Sequence, residues 1–253
     1  MKVIDMHAHL WYVNYRDCKE KIMRTIEHYG VDEVFVSTLY GWRPTPESVE
    51  LINNTTYDFA AEEPNHIKSY VYISPEHENA LSVLRHGVED KGAVGAKIWV
   101  SEYCDSECVN PIAESLIEYG KPLLIHTSTN TTPLPEGLCA SGSANVRNLA
   151  LRYPELKIIM AHTDTNCYRG VQNVFELKNV YVDFSGSTGR SGDLEYTVRH
   201  LGAERVLFGT DLSAISFGAP YGRLIESDLT DEQKQMILYK NALKLFYGKE
   251  ERL

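Results

Sequence analysis

His7 and His9, two histidines separated by one residue in the segment Val3-Ile-Asp-Met-His-Ala-His9, are the side chains of this 253-residue sequence best placed to do chemistry. Successive side chains on a β-strand point to opposite faces, so Asp5, His7 and His9 share one face. Their Cα atoms lie about 6.5 to 7 Å apart along a strand, and zinc takes nitrogen at about 2.0 to 2.1 Å, so both imidazoles can converge on one cation. Asp5, one step below, is suited to orienting an imidazole from behind. The plainer alternative is a pair of solvent-facing histidines just past a strand end.

Three further segments end a buried apolar run in a polar side chain: Pro122-Leu-Leu-Ile-His126, Ile158-Ile-Met-Ala-His162 and Val206-Leu-Phe-Gly-Thr-Asp211. Each alone has an ordinary explanation, a loop histidine or a helix-capping Thr-Asp. Together with His7 and His9 they make five candidate ligands with no clustering in sequence. Lys97, in Val94-Gly-Ala-Lys-Ile-Trp, ends another such run and is read as a site residue, its ammonium suited to a substrate oxyanion. Candidate substrate-binding residues fall on segments after strands: Trp11 and Tyr12, Trp42 and Arg43, the Thr/Ser/Pro/Gly stretch 127–142, and, behind these, Arg169 and Tyr221. Arg43 is the first candidate for binding an anion, against the alternative of an exposed loop arginine.

The elements that must position these residues follow from the spacing of apolar runs at 3–6, 33–38, 69–73, 94–100, 122–126, 157–161, 180–184 and 205–209, eight in all. Helical spacing lies between them, at 19–29, 48–61, 80–90, 109–119, 146–153 and 196–201, and a final helix is expected over 231–247. Steps of about 25 to 35 residues leave room for a crossover helix between parallel strands. Gly30 and Gly120 read as helix ends, and Thr45-Pro-Glu-Ser as a helix start. The expected fold is therefore an α/β protein, a (β/α)₈ TIM barrel, one domain over 1–253, whose carboxyl-terminal mouth gathers the polar strand ends. A doubly wound open sheet is the alternative, and it would bring a Gly-rich turn where this chain has His-Ala-His-Leu.

Composition narrows the class. A formal charge of −10 and a hydrophobic share of 43% fit a core-forming globule and oppose a nucleic-acid surface, which needs clustered Lys and Arg. No apolar stretch reaches about 18 residues and no basic-plus-apolar leader precedes the first strand, so no membrane partner and a cytoplasmic location are expected. Five cysteines are few and odd in number, which argues against a disulfide framework, and Cys104 with Cys108 lacks the second pair that a structural zinc site draws on.

The whole pattern resembles the amidohydrolase superfamily: His-x-His at strand one, His after strands five and six, Asp after strand eight. The Ile-Asp-Met-His-Ala-His start, the Ala-His-Thr and the Phe-Gly-Thr-Asp look most like its amidohydrolase-2 branch, which holds hydrolases, decarboxylases and hydratases. The resemblance implies that His7, His9, His126 and Asp211 hold one divalent metal, with zinc the first expectation, while His162 contacts substrate or moves a proton; in two-metal relatives His162 binds the second ion, and in some of them a carboxylated lysine at the position of Lys97 bridges the pair. A cation with an open position lowers the pKa of bound water to about 7. The leading expectation is hydrolysis of a C–N or C–O bond in a small molecule, with Asp211 as base and His162 polarising the substrate. Decarboxylation of an unsaturated or aromatic acid is the second, and a non-catalytic metal-binding barrel the third. Barrels of this type often pair, so a homo-oligomer is compatible with the sequence.

Overall fold

The computed structural model describes residues 2–128, 135–186 and 189–248. Eight strands form one parallel sheet in sequential order: β1 Ile4–Trp11, β2 Glu33–Leu39, β3 Ile67–Tyr72, β4 Gly95–Ile98, β5 Leu123–Ile125, β6 Ile158–Met160, β7 Val180–Asp183 and β8 Val206–Leu207. The ends meet without a full ladder. Met6 N donates to Phe208 O at 3.0 Å, Asp211 N to His7 O at 2.7 Å and His9 N to Leu212 O at 2.6 Å, so the sheet curls into a nearly closed TIM barrel.

Helices fill the crossovers: α1 Tyr15–Tyr29, α2 Pro46–Glu62, α3 Ala80–Arg85, α4 Asn110–Tyr119, α5 Ser143–Arg152, α6 Cys167–Val174, α7 Asp193–Leu201, α8 Gly218–Ile225, α9 Asp231–Gln235 and α10 Asn241–Tyr247. The expected punctuation is visible. Gly30 and Gly120 end α1 and α4 with φ of 65° and 64°, and the Thr45 hydroxyl accepts from Ser48 N at the start of α2. The helix expected over 80–90 starts as α3 and finishes as a π turn through Asp90; 231–247 likewise runs as α9, a π turn and α10. Sequence spacing does not anticipate α6 and α8, because Gly170 interrupts the first and Gly218, Pro220 and Gly222 dilute the second.

Branched and aliphatic side chains of the strands, among them Ile4, Val34, Val36, Ile158 and Val206, are buried against the helices, each worth about 1.5 to 3 kcal/mol. The inward column ends in polar groups at one mouth. Among the described residues no helix is long and apolar enough to cross a membrane.

Candidate metal centre and active site

β1 is longer than its apolar run suggests. It continues to Trp11, so His7 and His9 lie within the strand rather than past its end, paired to β2 on one side (His9 opposite Ser37) and bonded to the segment after β8 on the other. Asp5, His7 and His9 are all buried on the inner face. The two Nε2 atoms stand 3.0 Å apart. Asp211, four residues beyond β8 with a left-handed φ of 58°, turns its Oδ1 to 3.4 Å from His9 Nε2 and 3.9 Å from His7 Nε2. A triangle with these three sides has a circumscribed radius of about 2.0 Å, and zinc binds imidazole nitrogen and carboxylate oxygen at about 2.0 to 2.2 Å. His7, His9 and Asp211 therefore fit a small divalent ion as they stand.

The outer nitrogens of both imidazoles are fixed from behind. His7 Nδ1 lies 3.0 Å from Asp183 Oδ2 and His9 Nδ1 lies 2.9 Å from Ser37 Oγ, which leaves each Nε2 for the ion. His7, His162 and Asp183 also form a close group of three, but His7 Nδ1 is engaged by Asp183, so that group is support for the first. Asp5 does not reach an imidazole. Its carboxylate accepts from Thr210 Oγ1 at 2.5 Å, Thr210 N at 3.0 Å and His7 N at 3.2 Å, and so ties β1 to the Thr-Asp turn that carries Asp211. Burial pushes Asp5 up to about 7, against those hydrogen bonds.

Asp183, the last residue of β7, is the functional residue that the sequence reading passes over. Burial alone would raise its pKa, but His7, then His162 and Ser185, outweigh it and hold the carboxyl well below the usual range. The signal was present: Val180-Tyr-Val-Asp183 is another apolar run ending in a polar residue.

His126 and His162 sit together in the mouth, the His162 ring 5.2 Å from that of His7 centre to centre, with His126 Nδ1 3.2 Å from His162 Nε2 and Ser185 Oγ 2.9 Å from His162 Nδ1. His126 reaches the mouth but is in neither close donor group among the described residues. Burial lowers the pKa of His9, His126 and His162, helped for His9 by His7 and for His126 by His162; all three are neutral at pH 7, the form that coordinates a metal or accepts a proton. Lys97 in β4 is fully buried, with Nζ 3.3 Å from His7 Nε2. Burial lowers it to about 8, opposed by Asp211 and Asp183.

The wall above β1 to β5 is aromatic. Trp11 and Trp99 meet edge-on at 5.9 Å, Trp11 lies 6.4 Å from His9 and Trp99 6.5 Å from His126, ring centre to ring centre. Among the other expected substrate contacts, Trp42 is exposed and Arg43 reaches Ser101 O at 3.4 Å, both on the rim. Arg169 pairs with buried Asp164 at 3.4 Å and borders a polar cavity of about 570 Å³. Tyr221 packs against Phe217 and Tyr29. In the stretch 127–142, Thr127 Oγ1 donates to Ala161 O, and 129–134 lie outside the described residues. All five cysteines are free, and neither close donor group contains one.

Neutral imidazoles and a carboxylate gathered at the carboxyl-terminal mouth of an eight-stranded barrel are the arrangement of a metal-dependent barrel enzyme. The chain belongs to the amidohydrolase family, in its amidohydrolase-2 form, whose family model matches residues 4–247. A search of curated proteins returns no match. Among solved structures, 2,6-dihydroxybenzoate decarboxylase from Rhizobium superposes with a TM-score of 0.78 at 15% identity, covering 97% of this chain and 98% of that one. A dihydroxybenzoic acid decarboxylase from Polaromonas sp. JS666, with bound manganese and the inhibitor 2-nitroresorcinol, gives 0.75 at 18%, covering 97% and 96%. 4-Oxalomesaconate hydratase from Rhodopseudomonas palustris gives 0.69 at 16%, covering 96% and 95%. At these identities the likeness is one of fold. The family and the His/Asp cluster support a divalent metal.

Proposed function

We propose that the protein is a metal-dependent decarboxylase of a small aromatic or unsaturated carboxylic acid. The observation that carries this is the pairing of an aromatic corner, Trp11 and Trp99 edge to face beside His9 and His126, with the buried Lys97 amine beside the donor trio. A ring can stack on one indole and meet the other edge-on while its carboxylate reaches the Lys97 ammonium. His7, His9 and Asp211 hold the ion, and zinc suits two imidazoles and a carboxylate; manganese, bound in the Polaromonas decarboxylase, is the competitor. When bound, the cation supplies positive charge that draws and polarises a substrate oxygen.

The chain's own groups do the rest. Lys97 as an ammonium neutralises the carboxylate or a neighbouring oxyanion. Asp211, 16% of whose side chain is open to solvent, relays a solvent proton to the ring carbon that bears the carboxylate; the C–C bond breaks, carbon dioxide leaves and a C–H bond takes its place. His162, neutral and held by Ser185, hydrogen-bonds a substrate oxygen across the mouth. The wall also excludes water from the reacting carbon.

Hydrolysis is the second reading, favoured by one observation: the solvent-reached Asp211 carboxylate is placed to take a proton from an attacking water. Incubating the metal-loaded protein with panels of hydroxybenzoates, unsaturated diacids, amides and lactones separates the two. Carbon dioxide released from a carboxylate supports decarboxylation; acid formed from an amide or lactone without carbon dioxide would overturn it.

A further inference from the structure

After β6 the chain does something that its sequence does not announce. His162, Thr163, Asp164 and Thr165 all have positive φ, at 60°, 47°, 62° and 53°, and none is glycine. An L-residue in this region costs about 1 to 2 kcal/mol, so four in succession persist only where surrounding groups enforce them. The turn is what brings the half-buried His162 ring into the mouth, 3.2 Å from His126.

The enforcing contacts come from two directions. On the barrel side His162 N donates to Asp183 Oδ1 at 3.0 Å and Thr163 Oγ1 to Asp183 O at 2.7 Å. On the helix side the anchor is Asp164, fully buried, whose Oδ2 accepts from Ser143 Oγ at 2.6 Å and Arg169 Nε at 3.4 Å. Ser143 is the first residue of α5, and its hydroxyl also accepts from Asn173 Nδ2 of α6 at 2.8 Å. Gly170 completes the clamp: a Cβ there would lie 2.5 Å from Thr163 O, so α6 sits against the turn only because this position has no side chain.

We infer that Arg169, with Ser143, is a positioning residue for His162: the pair holds Asp164, and through it the left-handed turn that aims the imidazole at the substrate. Arg169 then never touches substrate, although it is an arginine after a strand end and invites that reading. The inference rests on His162 being the substrate-facing group of the proposed reaction, but its geometric part stands without it.

The test uses the full-length, metal-loaded protein with Arg169→Ala, Arg169→Lys and Ser143→Ala, each alone and combined with His162→Ala. Arg169→Ala lowers kcat about ten-fold while KM stays within about two-fold; Arg169→Lys, which keeps the charge beside Asp164, recovers most of the loss; and Arg169→Ala has no further effect once His162 is alanine. Crystal structures of Arg169→Ala and of the milder Ser143→Ala show Thr163 and Asp164 leaving the left-handed region and the His126–His162 separation opening beyond 3.2 Å. A raised KM with kcat intact, or an unchanged effect in the His162→Ala background, assigns Arg169 to substrate and overturns the inference. A turn that keeps its conformation in both variants overturns it as well. Should the wild type decarboxylate nothing on the panel, the reaction reading fails and the crystallographic arm still decides the clamp.

Discussion

The two sides of the mouth are built differently. On one side His7 and His9 are strand residues, gripped by β2 and by the segment after β8, with their outer nitrogens met by Asp183 and Ser37. On the other, His126 lies one residue past β5 and His162, although its ring is 5.2 Å from that of His7 and its turn shares Asp183 with it, rides on four left-handed residues held in addition by side chains from α5 and α6. A sheet ladder fixes a side chain by backbone bonds that any sequence can make. A clamp of Ser143, Arg169 and Gly170 depends on particular side chains. The two strand histidines that are to hold a cation are thus placed by topology, whereas His162, and Asp211 on its own left-handed turn tied to Asp5 through Thr210, are adjustable by single substitutions.

The largest effect expected from this contrast is on the strand histidines. His7→Ala or His9→Ala removes a ligand and leaves a buried gap, so metal is lost and turnover falls at least about a thousand-fold; metal content and turnover measured on the same preparation check this, and an active variant that retains its ion would break the division between the two sides. Next comes Asp183→Asn, which leaves every ligand in place but weakens the hold on the His7 ring; metal affinity is expected to drop about 10- to 100-fold in a competition titration. The same variant changes acid stability. The Asp183 carboxyl is held below its ordinary value in the fold, so its stabilising contribution is complete above the unfolded pKa of 3.8 and is lost as pH falls below it. Asp183→Asn should flatten the decline of Tm below about pH 4, and an unaltered profile would remove Asp183 from the account.

A smaller effect comes from Lys97, whose pKa burial lowers to about 8. The ammonium is present below that value and is lost above it, so carboxylate binding weakens as pH rises through about 8, and Lys97→Met abolishes this limb of the KM profile. The smallest effects belong to the rim. Trp42 is exposed and Arg43 donates to Ser101 O, so Trp42→Ala and Arg43→Ala should change KM a few-fold and leave kcat and metal content alone.

How far these features could be read beforehand follows the same line. The eight strands and the inward direction of Asp5, His7 and His9 were legible because period-two alternation and apolar runs are local properties. Asp211 and the three strand-end residues Lys97, His126 and His162 were legible as positions, since topology brings strand ends to one mouth whatever the loops do. Which atoms face one another was not: Asp5 serves Thr210 and the β1 backbone rather than an imidazole, and Asp183, within the run 180–184 but not singled out there, is the group behind His7. The left-handed turn had no local sign, because left-handed residues are usually announced by glycine and His162 to Thr165 contain none. Arg169 read as an anion-binding loop arginine because its partner Asp164 is buried by tertiary contacts that sequence does not display.

The measurement that bears most directly on the central claim is elemental analysis of the gently purified protein alongside His7→Ala. The account predicts about one divalent ion per wild-type chain, zinc in the first instance, and none in the variant. Wild-type protein carrying no ion, and taking up neither zinc nor manganese when either is added, would contradict it.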